Sequence, residues 1–250
     1  MEIRLRVTGG LAGADYTVAL DGNTGSLKGE SCINLCGFQP GETLQNLTSQ
    51  QVAYIRGLFQ NAGVLALDGE DFGTQCCDQF HFDLAYSDPS GRSRVKGSSE
   101  ALPHDLSVAL GVLHGMVSGT LPLIVDFSTG PSAWPGDGFR IENAAVVGHN
   151  LQITLSYGGG CKTHEVNAIA WGGWMESFPV QVRVFLSHDD FDDPCDAWIT
   201  REFSFDLVPL KVAYEESYGV GEPGATTLKL LLADPMLASP QGARILEYTF

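Results

Sequence analysis

Apolar residues return at every second position through one stretch of this chain after another: Ile3/Leu5/Val7, Tyr16/Val18/Leu20, Phe80/Phe82/Leu84, Leu151/Ile153/Leu155/Tyr157, Val180/Val182/Val184/Leu186, Phe203/Phe205/Leu207 and Leu228/Leu230/Leu232. Side chains on a strand point alternately to its two faces, so a period of two buries one set and leaves the other in water. A chain patterned this way has to pair its strands into sheets, with the turn-rich intervals setting where it reverses. The first two runs are separated by little more than Gly9, Gly10, Leu11, Ala12 and Gly13, and are expected to form a hairpin.

Helical spacing interrupts this pattern in two places, both in the first half. Thr48 with Gln51 three residues later fits a capping box, and Val52, Ile55 and Phe59 then share one helical face before Gly63. Pro103 and Asp105 suit a first helical turn, and Leu106, Leu110, Leu113 and Val117 follow as an apolar stripe. Residues 22–45, rich in Gly, Ser and Asn, read as a long irregular excursion. STGPSAWPGDGF, between Phe127 and Arg140, reads as a linker, and no helical pattern follows it. The expected fold is an α+β domain over residues 1–123, with a small antiparallel sheet and two helices. A linker over 124–142 then leads to an all-β antiparallel sandwich or barrel over 143–250.

Charge narrows the range of partners. Lys and Arg number 14 against 30 Asp and Glu, a net charge of −16, which repels phosphate backbones and anionic membranes and argues against nucleic acid. No run approaches the roughly 20 apolar residues that span a bilayer. The opening MEIRLRVTGG lacks the apolar core of a secretory signal, so the chain as it stands is expected in the cytoplasm, and in the periplasm or outside the cell if a leader has been removed. Cysteines stand at positions 32, 36, 76, 77, 161 and 195; the even number admits disulfides without requiring them in a chain of this length.

The glycines of RVTGGLAG do not make a phosphate cradle. A dinucleotide fingerprint needs G-x-G-x-x-G between a strand and a helix, whereas here the spacing is G-G-x-x-G and a second strand follows. What remains is a turn whose glycines permit positive φ and which leaves Leu11 and Ala12 at its tip. In the second half, GGGCKTH and SHDDFDDPCD bring Cys161, His164, His188, Asp189 and Cys195 forward as candidate metal ligands, since two cysteines and two histidines could hold tetrahedral zinc and the carboxylates calcium. Neither spacing is a standard one. The plain reading is that Cys161 and Cys195 sit on adjacent loops, as a disulfide or as packed thiols, with the aspartates in a solvated turn. Cys76 and Cys77 are read as packing residues rather than a nucleophile, because His81 alternates with Phe80 and Phe82 and points away from them. No H-E-x-x-H, G-x-S-x-G or P-loop occurs, and no enzymatic activity or cofactor is expected.

The order of parts in the first half is distinctive: RVTGGLAG after an opening strand, the capped helix LTSQQVAYIRGLFQNAGV, the strand pair DQFHFDLAYSDPSGRSRVKG, and SSEALPHDLSVALGVL leading the last helix. It resembles the emfourin family of bacterial protein inhibitors of thermolysin-like (M4) metallopeptidases such as protealysin, over residues 1–118. The insert carrying Cys32 and Cys36 and the pair Cys76-Cys77 depart from that pattern. The second half resembles a β-rich module of unassigned function in bacterial surface and secreted proteins, on its GGC-x-x-H strand start and HD…D-x-C loop. The first resemblance implies a monomeric, non-catalytic inhibitor that blocks the cleft of an M4-type zinc peptidase, with Gly9, Gly10, Leu11, Ala12 and Gly13 as the presented surface. The competing expectation is a ligand- or metal-binding β-rich module on an emfourin-like scaffold.

Overall fold

A computed structural model describes residues 1–11, 13–34, 36–73, 79–221, 224–233 and 243–250; Ala12, Cys76 and Cys77 lie outside the described residues. The chain divides into two compact units, Met1–Gly119 and Thr120–Phe250.

The first unit is built on one antiparallel sheet. Its strands are β1 (Glu2–Gly9), β2 (Ala14–Asp21), β3 (Ser26–Asn34), β4 (Thr43–Asn46), β5 (Phe80–Asp88) and β6 (Gly91–Ser98), in the spatial order β4-β3-β2-β1-β5-β6. The alternation in the sequence is realised residue by residue: Ile3, Leu5 and Val7 are buried while Glu2, Arg4 and Arg6 are exposed. The outward charges pair across strands, Arg6 with Asp15 and Arg94 with Asp83. Two helices, α1 (Ser49–Asn61) and α2 (His104–Val117), supply the rest of the core. The ring of Phe59 on α1 meets Tyr86 on β5, and His114 on α2 meets Tyr16 and Phe80. Helix α1 begins at the capping box, in which the Thr48 hydroxyl accepts from the Gln51 N–H at 3.0 Å and Gln51 Oε1 accepts from the Thr48 N–H at 3.1 Å.

Residues 22–45 are not an irregular excursion, since they hold β3 and all but the last residue of β4. The reason is steric. Gly29 faces the core, and a Cβ there would come within 2.2 Å of the Phe38 ring, so an aromatic from the following loop fills the place a strand side chain would occupy. Period-two patterning fails where a strand borrows its hydrophobic partner in this way. Cys32 and Cys36 are joined in a disulfide just beyond it.

The second unit holds two sheets. One has the order β7-β13-β10-β9, from β7 (Thr120–Pro122), β9 (Arg140–Val147), β10 (Asn150–Gly159) and β13 (Ala197–Asp206). The other runs β15-β14-β12-β11-β8, from β8 (Ile124–Val125), β11 (Glu165–Met175), β12 (Gln181–Asp189), β14 (Thr227–Ala233) and β15 (Ala243–Thr249). Their inner faces share one core, with Leu151, Ile153 and Leu155 from the first sheet and Val182, Val184 and Leu230 from the second. Helix α3 (Val208–Tyr218) adds Leu210 to it.

These features overturn the expected fold class of an α+β domain followed by an all-β antiparallel one. The described residues form a predominantly β molecule of three sheets, with three α-helices spread along the chain and the third in the second unit. That unit is not antiparallel throughout, because β7 runs parallel to β13, β8 to β11 and β12 to β14. Residues 124–142, read as a linker, contribute β8 and the first residues of β9, and Gly136 forms a bridge with His188. Segments with turn-like composition thus lie against the sheets instead of between domains.

Candidate functional site

Among the described residues of the first unit, Leu11 in the turn joining β1 to β2 is the most exposed large apolar side chain. The ladder closes at the pair Gly9 and Ala14. Beyond it Gly9, Gly10 and Gly13 take φ of 91°, 71° and 68°, the left-handed region that side chains disfavour. Two of these glycines are required by contact as well as by conformation. A Cβ on Gly9 would lie 2.4 Å from the Gln79 carbonyl oxygen, and one on Gly10 would lie 2.8 Å from the Phe80 ring.

Hydrogen bonds fasten the turn at three points. The Gly10 N–H donates to the Gln79 carbonyl at 3.0 Å, the Gly13 N–H to the Gly10 carbonyl at 2.9 Å, and Asn34 Nδ2 to the Gly13 carbonyl at 2.8 Å. Leu11 projects from this frame with 89% of its surface exposed, and Ile33, next to Asn34, is 72% exposed. An isolated exposed leucine is unremarkable on a mobile loop. On a turn held by the Gln79 carbonyl just ahead of β5 and by Asn34 of β3 it is a presented side chain.

Beside the turn lies a pocket of about 570 Å³, with walls that include Gly10, Leu11, Tyr16, Phe80, His114 and Gly115. The Tyr16 hydroxyl and His114 Nδ1 hydrogen-bond to each other, and the His114 ring packs 4.7 Å from that of Phe80. Burial lowers the pKa of His114 and raises that of Tyr16, so both are held neutral. The sequence reading missed His114. Its only signal was a histidine next to Leu113 in the last turn of an apolar helix.

The second unit gathers its polar residues where the end of β10 and the start of β11 meet the loop after β12. Asp193 organises this place. Its Oδ2 accepts from the backbone N–H groups of Gly160 at 2.8 Å, Cys161 at 3.0 Å and Lys162 at 2.9 Å, and lies 3.2 Å from His164 Nε2. Its Oδ1 accepts from the Cys195 N–H at 3.0 Å. Burial opposes ionisation of Asp193, but these donors outweigh it and hold the carboxyl well below the usual range. His164 Nδ1 lies 3.0 Å from His188 Nε2, and His188 Nδ1 lies 3.2 Å from the Asp137 carbonyl.

This chain of contacts ends in an acceptor at both sides, the Asp193 carboxylate and the Asp137 carbonyl. Burial keeps the pKa of His188 low, with the neighbouring His164 adding to the effect. Lys162 Nζ donates to the carbonyls of Phe191 and Asp192, the two non-glycine residues with positive φ among the described residues, and so props the loop in a conformation that side chains disfavour.

The five sequence candidates for a metal site fall into three places. Cys161 and Cys195 are bonded to each other in a disulfide, with Cα atoms 5.7 Å apart. His164 and His188 pair with each other, and Asp189 joins Asp137 and Asp190 in a separate carboxylate group within 4.8 Å. Cys161, Cys195 and Asp193 also lie within 4.8 Å of one another, but the sulfurs share a bond and the carboxylate is committed to the N–H groups above. Opposite Asp189, Glu165 has its pKa raised by burial and by that neighbouring carboxylate. The chemistry of this region is that of a stapled loop.

No helix among the described residues is long and apolar enough to cross a membrane. No family model matches the chain, and no curated protein does. Solved structures to which it is similar include a NigD-like immunity protein from Bacteroides caccae ATCC 43185, at 12% identity over 100% of this chain and 96% of that one, with a TM-score of 0.38. A protein of unknown function from Bacteroides vulgatus ATCC 8482 is 10% identical over 99% and 88%, with a TM-score of 0.33. An uncharacterized protein from Parabacteroides merdae ATCC 43184 is 8% identical over 100% and 98%, with a TM-score of 0.34. At TM-scores this low the likeness carries no weight for function.

Proposed function

We propose that this protein is a non-catalytic binding protein that inhibits a bacterial thermolysin-like, M4-type zinc peptidase, with residues 9–13 as the segment presented to the cleft and Leu11 as its apolar anchor. The observation that carries this reading is Leu11, 89% exposed at the tip of a turn that three hydrogen bonds and three positive-φ glycines hold in one shape. An inhibitor binds well when the segment it offers is ordered beforehand, because the entropy of fixing a loop is then not lost on association. The order of motifs along residues 1–118 supports the choice of target. Peptidases of that class accept a bulky apolar side chain beside the scissile bond, which is what a leucine flanked by glycines offers.

The test is a titration of thermolysin and protealysin with the full chain and with Leu11→Asp. The wild type is expected to inhibit, and the variant to bind about 100-fold more weakly, the loss typical of a central apolar anchor. Unchanged inhibition by a folded Leu11→Asp protein rejects the turn as the contact, and an inactive wild type rejects the function.

A further inference from the structure

We propose that Cys161, Cys195 and Asp193 become a zinc site when the Cys161–Cys195 disulfide is reduced, so that the loop between β12 and β13 is closed by a covalent bond in one redox state and by a metal in the other. The two sulfurs and a carboxylate oxygen of Asp193 all lie within 4.8 Å of one another. A tetrahedral zinc, bonded at about 2.3 Å to sulfur and about 2.0–2.2 Å to oxygen, holds such donors about 3.6–3.8 Å apart. One ion therefore reaches all three once the sulfurs separate, and side-chain rotation at two residues whose Cα atoms are 5.7 Å apart supplies that separation.

The independent observation is that both cysteines are positioned without the bond between them. Asp193 Oδ2 accepts from the N–H groups of Gly160, Cys161 and Lys162, and Oδ1 from that of Cys195, so one carboxylate grips the backbone at each sulfur. Lys162 Nζ crosses to the carbonyls of Phe191 and Asp192, and the β11–β12 ladder begins beside both loops at the pair Glu165 and Asp189. Reduction breaks none of these contacts. The two thiols stay within reach of one ion.

The donor set selects the metal. Two thiolates and one carboxylate suit zinc, whereas calcium and magnesium take oxygen ligands. The two oxygens of Asp193 are unequally engaged: Oδ2 has three N–H donors and lies 3.2 Å from His164 Nε2, while Oδ1 has one N–H donor and keeps a lone pair for a cation. Hydrogen bonds to the non-ligating oxygen are the outer shell that orients a ligating carboxylate. Cys161 is exposed, which admits water to the fourth position. The chemistry balances: a dithiol gives the disulfide two electrons and two protons and leaves as a disulfide itself, and Zn²⁺ then displaces both thiol protons to solvent as the two Zn–S bonds form.

The experiment uses the full chain with Zn²⁺ as the probe. Protein is taken oxidised, or reduced under argon with a water-soluble phosphine that is removed before zinc is added. Reduced wild type is expected to bind one zinc equivalent more than reduced Cys195→Ser, releasing up to two protons per zinc. X-ray absorption at one equivalent should show two sulfur neighbours at about 2.3 Å, with oxygen completing the shell. Cys195→Ser should weaken zinc binding by more than the about 10–100-fold that loss of an outer-shell partner costs, and Cys32→Ser/Cys36→Ser should retain the equivalent. Oxidised wild type that binds zinc as tightly as reduced overturns the proposal. So does an equivalent that Cys195→Ser leaves unchanged, one that depends on Cys32 and Cys36 instead, or a shell without two sulfurs.

Discussion

His114 shows how a single half-buried residue ties the stability of the first unit to pH. Burial lowers its pKa in the folded protein, whereas an unfolded histidine titrates near about 6.5. A group whose folded pKa is depressed contributes stability that is present in full above its unfolded pKa and is lost as the pH falls from there through the folded value. Urea unfolding followed by tryptophan-independent far-UV circular dichroism should therefore show wild type losing stability between pH 7.5 and about 5.5. His114→Gln should lose less over the same interval, and equal slopes would remove His114 as a cause. Alternation and glycine spacing located the β1–β2 turn because both are local properties of the chain. They did not locate His114 or Asp193 as organisers, because a histidine bonded to a tyrosine 98 positions away, or a carboxylate gathering N–H groups from 31–33 positions away, leaves no periodic mark.

At the scale of elements, α1 was legible and α3 was not. The capping box of α1 is a contact between residues three apart, so the sequence contains both partners. Thr48→Ala should lower the unfolding free energy by about 1–2 kcal/mol, measured by denaturant titration with an unchanged m-value. A loss below about 0.3 kcal/mol would show that the cap contributes little. Helix α3 begins with Pro209 in its first turn and has Leu210, Tyr214 and Tyr218 spaced by four, yet valine and tyrosine are indifferent helix formers. Its place is secured by neighbours distant in sequence, with the Tyr214 ring 5.6 Å from Trp174 and 5.8 Å from Phe250. Strand β3 escaped notice for the opposite reason, that Phe38 replaces the side chain Gly29 lacks.

For the whole molecule, the division at Gly119 and Thr120 predicts that residues 1–119 fold alone, since their six-stranded sheet and two helices enclose a core of their own. That fragment should unfold in one cooperative transition and keep its near-ultraviolet circular dichroism; a broad, non-cooperative melt would contradict it. The parallel pairs β7/β13, β8/β11 and β12/β14 lay beyond reach of pattern reading, because each joins strands separated by more than a hairpin and a strand's alternation does not record its neighbour.

By itself the sequence determined which residues of most strands face inward, where α1 begins, and that a glycine turn closes the first hairpin, since each depends on backbone geometry over a few residues. Only the tertiary structure decided that Leu11 is left uncovered, that a pocket opens beside it, and that Cys161, Cys195, His164, His188 and Asp193 staple a loop. Exposure and convergence depend on what the rest of the chain packs against a residue, and that is set by contacts far apart in sequence.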